Sequence, residues 1–213
     1  LHPMPDGFGN TMYAVSINAP HAQLVYTAEG VVQVQPGRPA PPPPLLYTMP
    51  GTLTAPGKGL RQWFAGLDWL GQGYAPTQEP HRLAKALCKA VHGRIAYCPG
   101  VTDISTTAAQ ALACGVGVCQ DYTHLFLVAA RLAGLPARYC MGLTVGEGTT
   151  HAWPEVYYGG AWHGWDPTRG CECDAGYLRL AVGRDAADCP VERGVFYGAC
   201  TQLQTVFMQV EEI

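Results

Sequence analysis

No long apolar run occurs in this 213-residue chain; the longest, residues 125–130, is far short of the roughly 20 residues a helix needs to cross a bilayer. Charge is scarce too, with 13 Lys plus Arg against 16 Asp plus Glu and a net charge of −3. No basic run is available to hold nucleic acid or an anionic membrane surface, so neither is expected as a partner. No loop carries the alternating carboxylates of a calcium site. Zinc spacing is missing as well. Cys171 and Cys173, with His163 nearby, are one residue apart rather than in a C-x₂₋₄-C pair, and no second pair follows. Neither a metal nor a cofactor is therefore expected. The opening residues show no leader pattern. The nine cysteines are expected to be mostly reduced thiols in a cytoplasmic setting, and the oligomeric state stays open.

What the chain does have is apolar mass and punctuation. Hydrophobic residues make up 48% of it, with 26 Gly and 18 Pro, which suits one domain with a real core and at most a small appendage. Residues 12–17 and 22–34 alternate and are rich in β-branched side chains, which predicts strands. Residues 36–44 contain the run PAPPPP and read as a stiff extended linker. The division expected is a partial β-region with its linker over 1–48 and a catalytic domain over 49–213.

From Gly57 onward the apolar spacing becomes helical. Leu60, Trp63, Phe64, Leu67 and Leu70 fall on one face. A second helix is predicted from about Thr77, with Glu79 and Pro80 in its first turn and Leu83, Leu87 and Val91 inside. Cys88 lies near that inner face and reads as a small hydrophobe. Ser105 or Thr106 is placed to cap a short alanine-rich helix ending near residue 113. A third main helix spans 119–133 and stops at Gly134-Leu135-Pro136; its middle, LFLVAARLA, is apolar nearly all round, as a central buried helix should be. Strands follow at 137–145, 151–158, 161–166, 177–182 and 201–211, joined by short links that imply an antiparallel sheet. Helices first and sheet afterwards make an α+β fold.

One stretch, residues 115–170, carries the chemistry. Cys119 sits where a Gly-rich turn gives way to the central helix; the first backbone N–H groups there are unpaired and the helix dipole favours an anion, the form in which a thiol attacks. His151 opens one extended run and Asp166 ends the next, with Gly159-Gly160 between them. A hairpin of that kind sets the acid beside the imidazole, and the imidazole faces a thiol on a neighbouring helix. Gln120 and Tyr122 flank the nucleophile, and Trp153 and Trp165 flank the other two residues; all four are expected to shape the cleft, the tryptophans by excluding water. Glu147 and Glu155 look isolated, so no acidic cluster is expected beside the site.

The pieces GVCQDYTHL, GLPARYCMG, HAWPEVY and WDPTRG, in that order, resemble the bacterial transglutaminase-like superfamily, whose core is related to papain-type cysteine proteases. The resemblance covers roughly residues 57–200, where YLRLAVGRDAADCP also matches, and DGFGN with APHAQLVYTAEGVVQV resembles part of the small β-domain that precedes such cores. It implies a papain-like core of helices packed on an antiparallel sheet, with Cys119 as nucleophile, His151 as base and acid, and Asp166 orienting the histidine. His124 matches the pattern Cys-Gln-Asp-aromatic-x-His and reads as a buried histidine bonded to backbone. Gly183-Arg184-Asp185 reads as structural. The activity implied is cleavage of a peptide, protein or small amide through a thioester, by a protease or amidase. Protein-glutamine transglutaminase activity, with an amine as acceptor, is the alternative; a non-catalytic interaction domain is the third reading.

Overall fold

A computed structural model describes residues 2–35, 38–67, 79–199 and 201–212. Its centre is α4 (Cys119–Leu132), in which ten consecutive residues from Asp121 to Ala130 are buried. A helix with no polar face is stable only when covered on all sides, and each fully buried Leu or Phe here contributes about 2 kcal/mol relative to exposure. On one side it is covered by α1 (Lys58–Ala65), α2 (Pro80–His92) and α3 (Ala108–Cys114). On the other lies a five-stranded sheet.

That sheet contains β5 (Ala137–Thr144), β6 (His151–Tyr158), β7 (Ala161–Asp166), β8 (Cys171–Glu172) and β9 (Tyr177–Gly183). Its order is β8-β7-β6-β5-β9, antiparallel throughout. Gly159 and Gly160 both have positive φ, 60° and 80°, as a two-residue turn between right-twisted strands requires. Side chains alternate across the sheet. Ala152 and Val156 of β6 join the main core with Leu125, Phe126 and Tyr139, while Trp153 joins Cys140, Tyr177 and Val182 in a smaller cluster on the opposite face. The α+β class with an antiparallel sheet is thus observed.

Several elements differ from the sequence reading. Residues 22–34 and 201–211 form no strand and are mostly exposed. Alternation makes a segment fit for a sheet, but a strand also needs a backbone alongside it. Instead of 12–17, the N-terminal region shows β2 (Thr11–Ala14) paired with an unexpected β1 (His2–Pro5). Thr107, not Ser105 or Thr106, caps α3: its hydroxyl accepts from the Gln110 N–H while the Gln110 side chain accepts from the Thr107 N–H. Glu79 is the N-cap of α2 rather than part of its first turn. Leu70 and the expected helix start at Thr77 lie outside the described residues. Two short pairings, β3 (Ala96–Tyr97) with β4 (Val116–Gly117) and β7 with β8, were too brief to leave a pattern.

The N-terminal hairpin is tied to the sheet by Phe8, which packs against the Cys140, Trp153, Tyr177 and Val182 cluster, and by Asn10. Asn10 donates to the Val182 carbonyl and accepts from the Val182 N–H, each at 2.8 Å. The linker docks as well, with the Ala40 N–H donating to the Gly160 carbonyl at 2.9 Å and the Tyr157 hydroxyl donating to the Ala40 carbonyl at 3.0 Å. Among the described residues no helix is long and apolar enough to cross a membrane.

Candidate active site

The amino end of α4 is held by Asp121. Its fully buried carboxylate accepts from the Val118 N–H at 2.8 Å and the Thr102 hydroxyl at 2.7 Å, fixing the turn that carries Cys119. Gly117 is part of the same device: a Cβ there would lie 2.6 Å from both Cβ and Oδ2 of Asp121, so only glycine lets the carboxylate reach back. Val118 is extended and the helix begins at Cys119, which leaves the first N–H groups without helical partners.

His151 and Asp166 meet across the β6–β7 hairpin, with His151 Nε2 2.8 Å from Asp166 Oδ2. That contact leaves Nδ1 for the thiol. His151 is 6% exposed, and burial works against its charged form. The hydrogen bonds with Asp166 and Cys119, together with their charges, outweigh burial and raise its pKa to about 9. Asp166 is wholly buried. Burial alone would raise its pKa, but the bond from His151 and the imidazolium charge hold it below the usual carboxylate range, helped by Tyr177 and the backbone. It accepts four hydrogen bonds, from His151 and the Tyr177 hydroxyl (2.7 Å) on Oδ2 and from the N–H groups of Thr168 (2.8 Å) and Arg169 (3.1 Å) on Oδ1, and Arg169 Nε lies 3.7 Å from Oδ2. So bonded, the carboxylate is suited to staying an anion.

Cys119 and His151 line a cavity of about 240 Å³, whose other walls are Tyr97, Glu147, Arg169 and the hydroxyl-bearing Thr149, Thr150 and Thr168. None of the four expected cleft residues is among them. Tyr122 is buried, its hydroxyl donating to the Ile95 carbonyl at 2.7 Å; three residues along a helix is almost a full turn below its mouth. Gln120 is turned away, donating to the Asp103 carbonyl at 3.2 Å. Trp153 is buried and stacks on the His151 ring, centroids 6.3 Å and planes 22° apart. It covers the imidazole from within the sheet, not from the cavity. Trp165 is buried under His81, 5.4 Å away.

Sequence reasoning missed Tyr177, Arg169 and Glu147. Tyr177 donates to Asp166 and accepts from Arg169 Nη1 at 3.0 Å; burial and the Asp166 charge push its pKa up, so it stays a neutral donor. Arg169 also binds Thr144 Oγ1 at 3.2 Å and forms an ion pair with Glu147. Glu147 is thus not isolated: its other carboxylate oxygen lies 4.0 Å from His151 Nδ1. Only the WDPTRG piece hinted at Arg169, and nothing local in the sequence marks Glu147. Glu155 does lie elsewhere, paired with Arg138 at 2.7 Å and Arg179 at 2.9 Å.

The remaining candidates have structural surroundings. His124 is fully buried and accepts the Ala186 N–H at 3.1 Å. Burial, with the nearby Arg131 charge, lowers its pKa to about 3, so the ring is neutral. Asp185 is buried and accepts from the Leu53 N–H at 2.7 Å, while Arg184 pairs with Asp188. Cys171 lies 4.0 Å from the Tyr177 hydroxyl, and Cys173 packs against Gly164. Among the described residues no three His, Cys, Asp or Glu side chains are grouped to hold a metal ion.

Comparison with known proteins bears on this geometry. The sequence profile of the Transglutaminase-like superfamily matches residues 69–167. An uncharacterised protein of Mycobacterium leprae is 28% identical over 94% of this chain and 78% of its own length. One of Mycobacterium tuberculosis is 30% identical over 90% of this chain and 71% of its own. A solved protein of Cytophaga hutchinsonii, provisionally named a cysteine protease, shares 27% identity and superposes with a TM-score of 0.57 over 68% of this chain. The present chain spans about half, 48%, of that protein's solved chain. With helices packed on an antiparallel sheet that superposes on that structure, and with the superfamily profile matched over residues 69–167, the chain belongs to the transglutaminase-like superfamily in its bacterial branch.

Proposed function

We propose that the chain is a cysteine-nucleophile enzyme that cleaves peptide or related amide bonds through a thioester on Cys119. The observation that carries this reading is the 2.8 Å contact between His151 Nε2 and Asp166, which leaves Nδ1 for the thiol in a shared cavity. His151 and Cys119 form an imidazolium–thiolate pair. The thiolate attacks the amide carbonyl, and the Cys119 N–H, unpaired in the first turn of α4, donates to the developing oxyanion. When the tetrahedral adduct collapses, the C–N bond breaks and Nδ1–H gives its proton to the leaving amine. His151, now neutral, takes a proton from the acceptor. The acceptor attacks the thioester, the C–S bond breaks, and the thiolate leaves with the electron pair. Asp166 keeps Nε2 protonated throughout, while Trp153 and Tyr177 cover the pair from water.

Water as acceptor makes the enzyme a protease or amidase, which is the reading preferred here. An amine would make it a transglutaminase, and one observation favours that alternative: the Glu147 carboxylate beside Nδ1 gives a cationic amine a reason to approach, although Arg169 offsets its charge. The deciding experiment supplies general and glutamine-containing peptides with and without a labelled primary amine, then compares free acid with amide product. Predominant acid supports the hydrolase; predominant incorporation replaces it with the transglutaminase. No reaction by a folded wild-type protein with any amide or activated ester, and no adduct on Cys119, would leave the interaction-domain reading.

A further inference from the structure

We propose that Glu147 positions the acceptor for the second half of the reaction and selects nucleophiles that carry two hydrogens. The inference rests on the reading of Cys119 as the acylated nucleophile. One oxygen of the Glu147 carboxylate is committed to Arg169, whose guanidinium is itself held by the Tyr177 hydroxyl at 3.0 Å and Thr144 Oγ1 at 3.2 Å. The other, Oε2, is thereby aimed at His151 Nδ1, the nitrogen left free by Asp166, and stops 4.0 Å from it. Both line the cavity that contains Cys119.

A separation of 4.0 Å is too long for a hydrogen bond and is the span that one bridging atom fills. An oxygen or nitrogen at about 2.8 Å from each group would subtend an angle of about 90°, close to that between two hydrogens on water or a primary amine. One hydrogen points to Nδ1 and is the proton removed in the step; the second points to Oε2 and stays on the product. The lone pair is then directed away from both, toward the thioester carbon on Cys119. As the new C–O or C–N bond forms, Nδ1 gains the first proton and the C–S bond breaks with its electrons on sulfur. During acylation no acceptor fills the bridge, so Glu147 bears on that step only through its charge beside Nδ1, which Arg169 offsets. Water and primary amines satisfy both oxygen and nitrogen acceptors of this cradle. A secondary amine or an alcohol offers one hydrogen and leaves Oε2 facing a carbon.

The test separates the two half-reactions. In Glu147→Gln the amide oxygen goes to Arg169 and the NH₂ turns toward Nδ1, replacing an acceptor by a donor; Glu147→Asp keeps the charge but withdraws it. Acylation by a p-nitrophenyl ester is followed as the burst of nitrophenol, and the acyl adduct on Cys119 by mass spectrometry after acid quench. With Glu147→Gln the burst rate is expected within about threefold of wild type, while deacylation slows at least tenfold and the adduct accumulates; Glu147→Asp falls between. Wild type is expected to partition its acyl group to methylamine over dimethylamine and to water over methanol, and Glu147→Gln to lose that preference. Equal loss in both half-reactions, or unchanged deacylation and selectivity, overturns the proposal. Turnover without any adduct on Cys119 in either protein overturns the thioester reading and the proposal with it.

Discussion

Replacing Asp166 by Asn keeps the shape of the side chain and removes its charge, and the structure dictates what the amide cannot do. All four hydrogen bonds on the carboxylate come from donors, His151 and Tyr177 on Oδ2 and two backbone N–H groups on Oδ1, and the Arg169 guanidinium lies 3.7 Å from Oδ2. An amide has one oxygen, so its NH₂ must face two of these donors. Turned toward the backbone, it breaks the 166–169 turn. Turned toward His151, it flips the ring to the tautomer with the proton on Nδ1, which then cannot take one from thiol or acceptor. The rise of the His151 pKa from 6.5 to about 9 corresponds to roughly 3 kcal/mol at about 1.4 kcal/mol per pH unit, shared between Asp166 and Cys119. Turnover is therefore expected to fall roughly ten- to a few hundredfold, with the fold kept.

A stability measurement isolates the pair. Because the folded pKa of His151 lies above its unfolded value, its contribution is complete below pH 6.5 and is lost as pH rises through about 9. Asp166, with its folded pKa below 3.8, contributes above that value and loses its contribution as pH falls below it. In a Cys119→Ala background, which removes the share of the rise that Cys119 supplies, thermal melts with Asp166 intact should decline as pH rises above 6.5, over a window that ends below 9, and those with Asn should be flatter there. Unchanged turnover in Asp166→Asn, or superimposable pH–Tm curves, would refute the assignment of Asp166 as the group that holds His151.

Brief iodoacetamide labelling near neutral pH, read by peptide mapping, should modify Cys119 first of the nine cysteines; Cys88, Cys140 and Cys189 are buried, and burial raises the Cys88 thiol to about 12. Earlier modification of Cys171 with Cys119 untouched would count against the site. Turnover should survive EDTA, and its loss with restoration by calcium or zinc would contradict a mechanism that runs on side chains alone. Gly142→Ala should destabilise the domain by about 1–3 kcal/mol in a denaturant melt, because its Cβ would collide with the Leu178 carbonyl and lie 2.7 Å from Trp153 Cη2. Since Trp153 stacks on His151, kcat should drop as well.

What the sequence made legible is what depends on neighbours along the chain. The apolar run inside α4 could only belong to a covered helix, and the Gly159-Gly160 turn between two extended runs brought His151 and Asp166 into register. Apart from the caps of α2 and α3 and the short β1–β2 hairpin, which are local, the failures share one physical cause: they depend on partners far away in sequence. Residues 22–34 and 201–211 carry a strand pattern but find no strand to pair with. Tyr122 is next to the nucleophile in sequence yet points into the core, whereas Tyr177 and Glu147 reach the site from β9 and from the loop after β5. A lone Glu or Tyr carries no pattern of its own, so only the tertiary fold could reveal its place beside the imidazole.

The small clasp between Asn10 and Val182 has a consequence for how the molecule behaves in a crowd. β9 is an outermost strand of its sheet, and such a strand offers unpaired N–H and C=O groups to any extended chain that drifts alongside. By satisfying both groups of Val182 at 2.8 Å, a single amide imitates one rung of an antiparallel ladder and blocks the place where a foreign strand would start to zip. Asn10→Ala should leave the catalytic geometry alone and yet make the protein prone to self-association, through an edge that one carboxamide otherwise keeps shut.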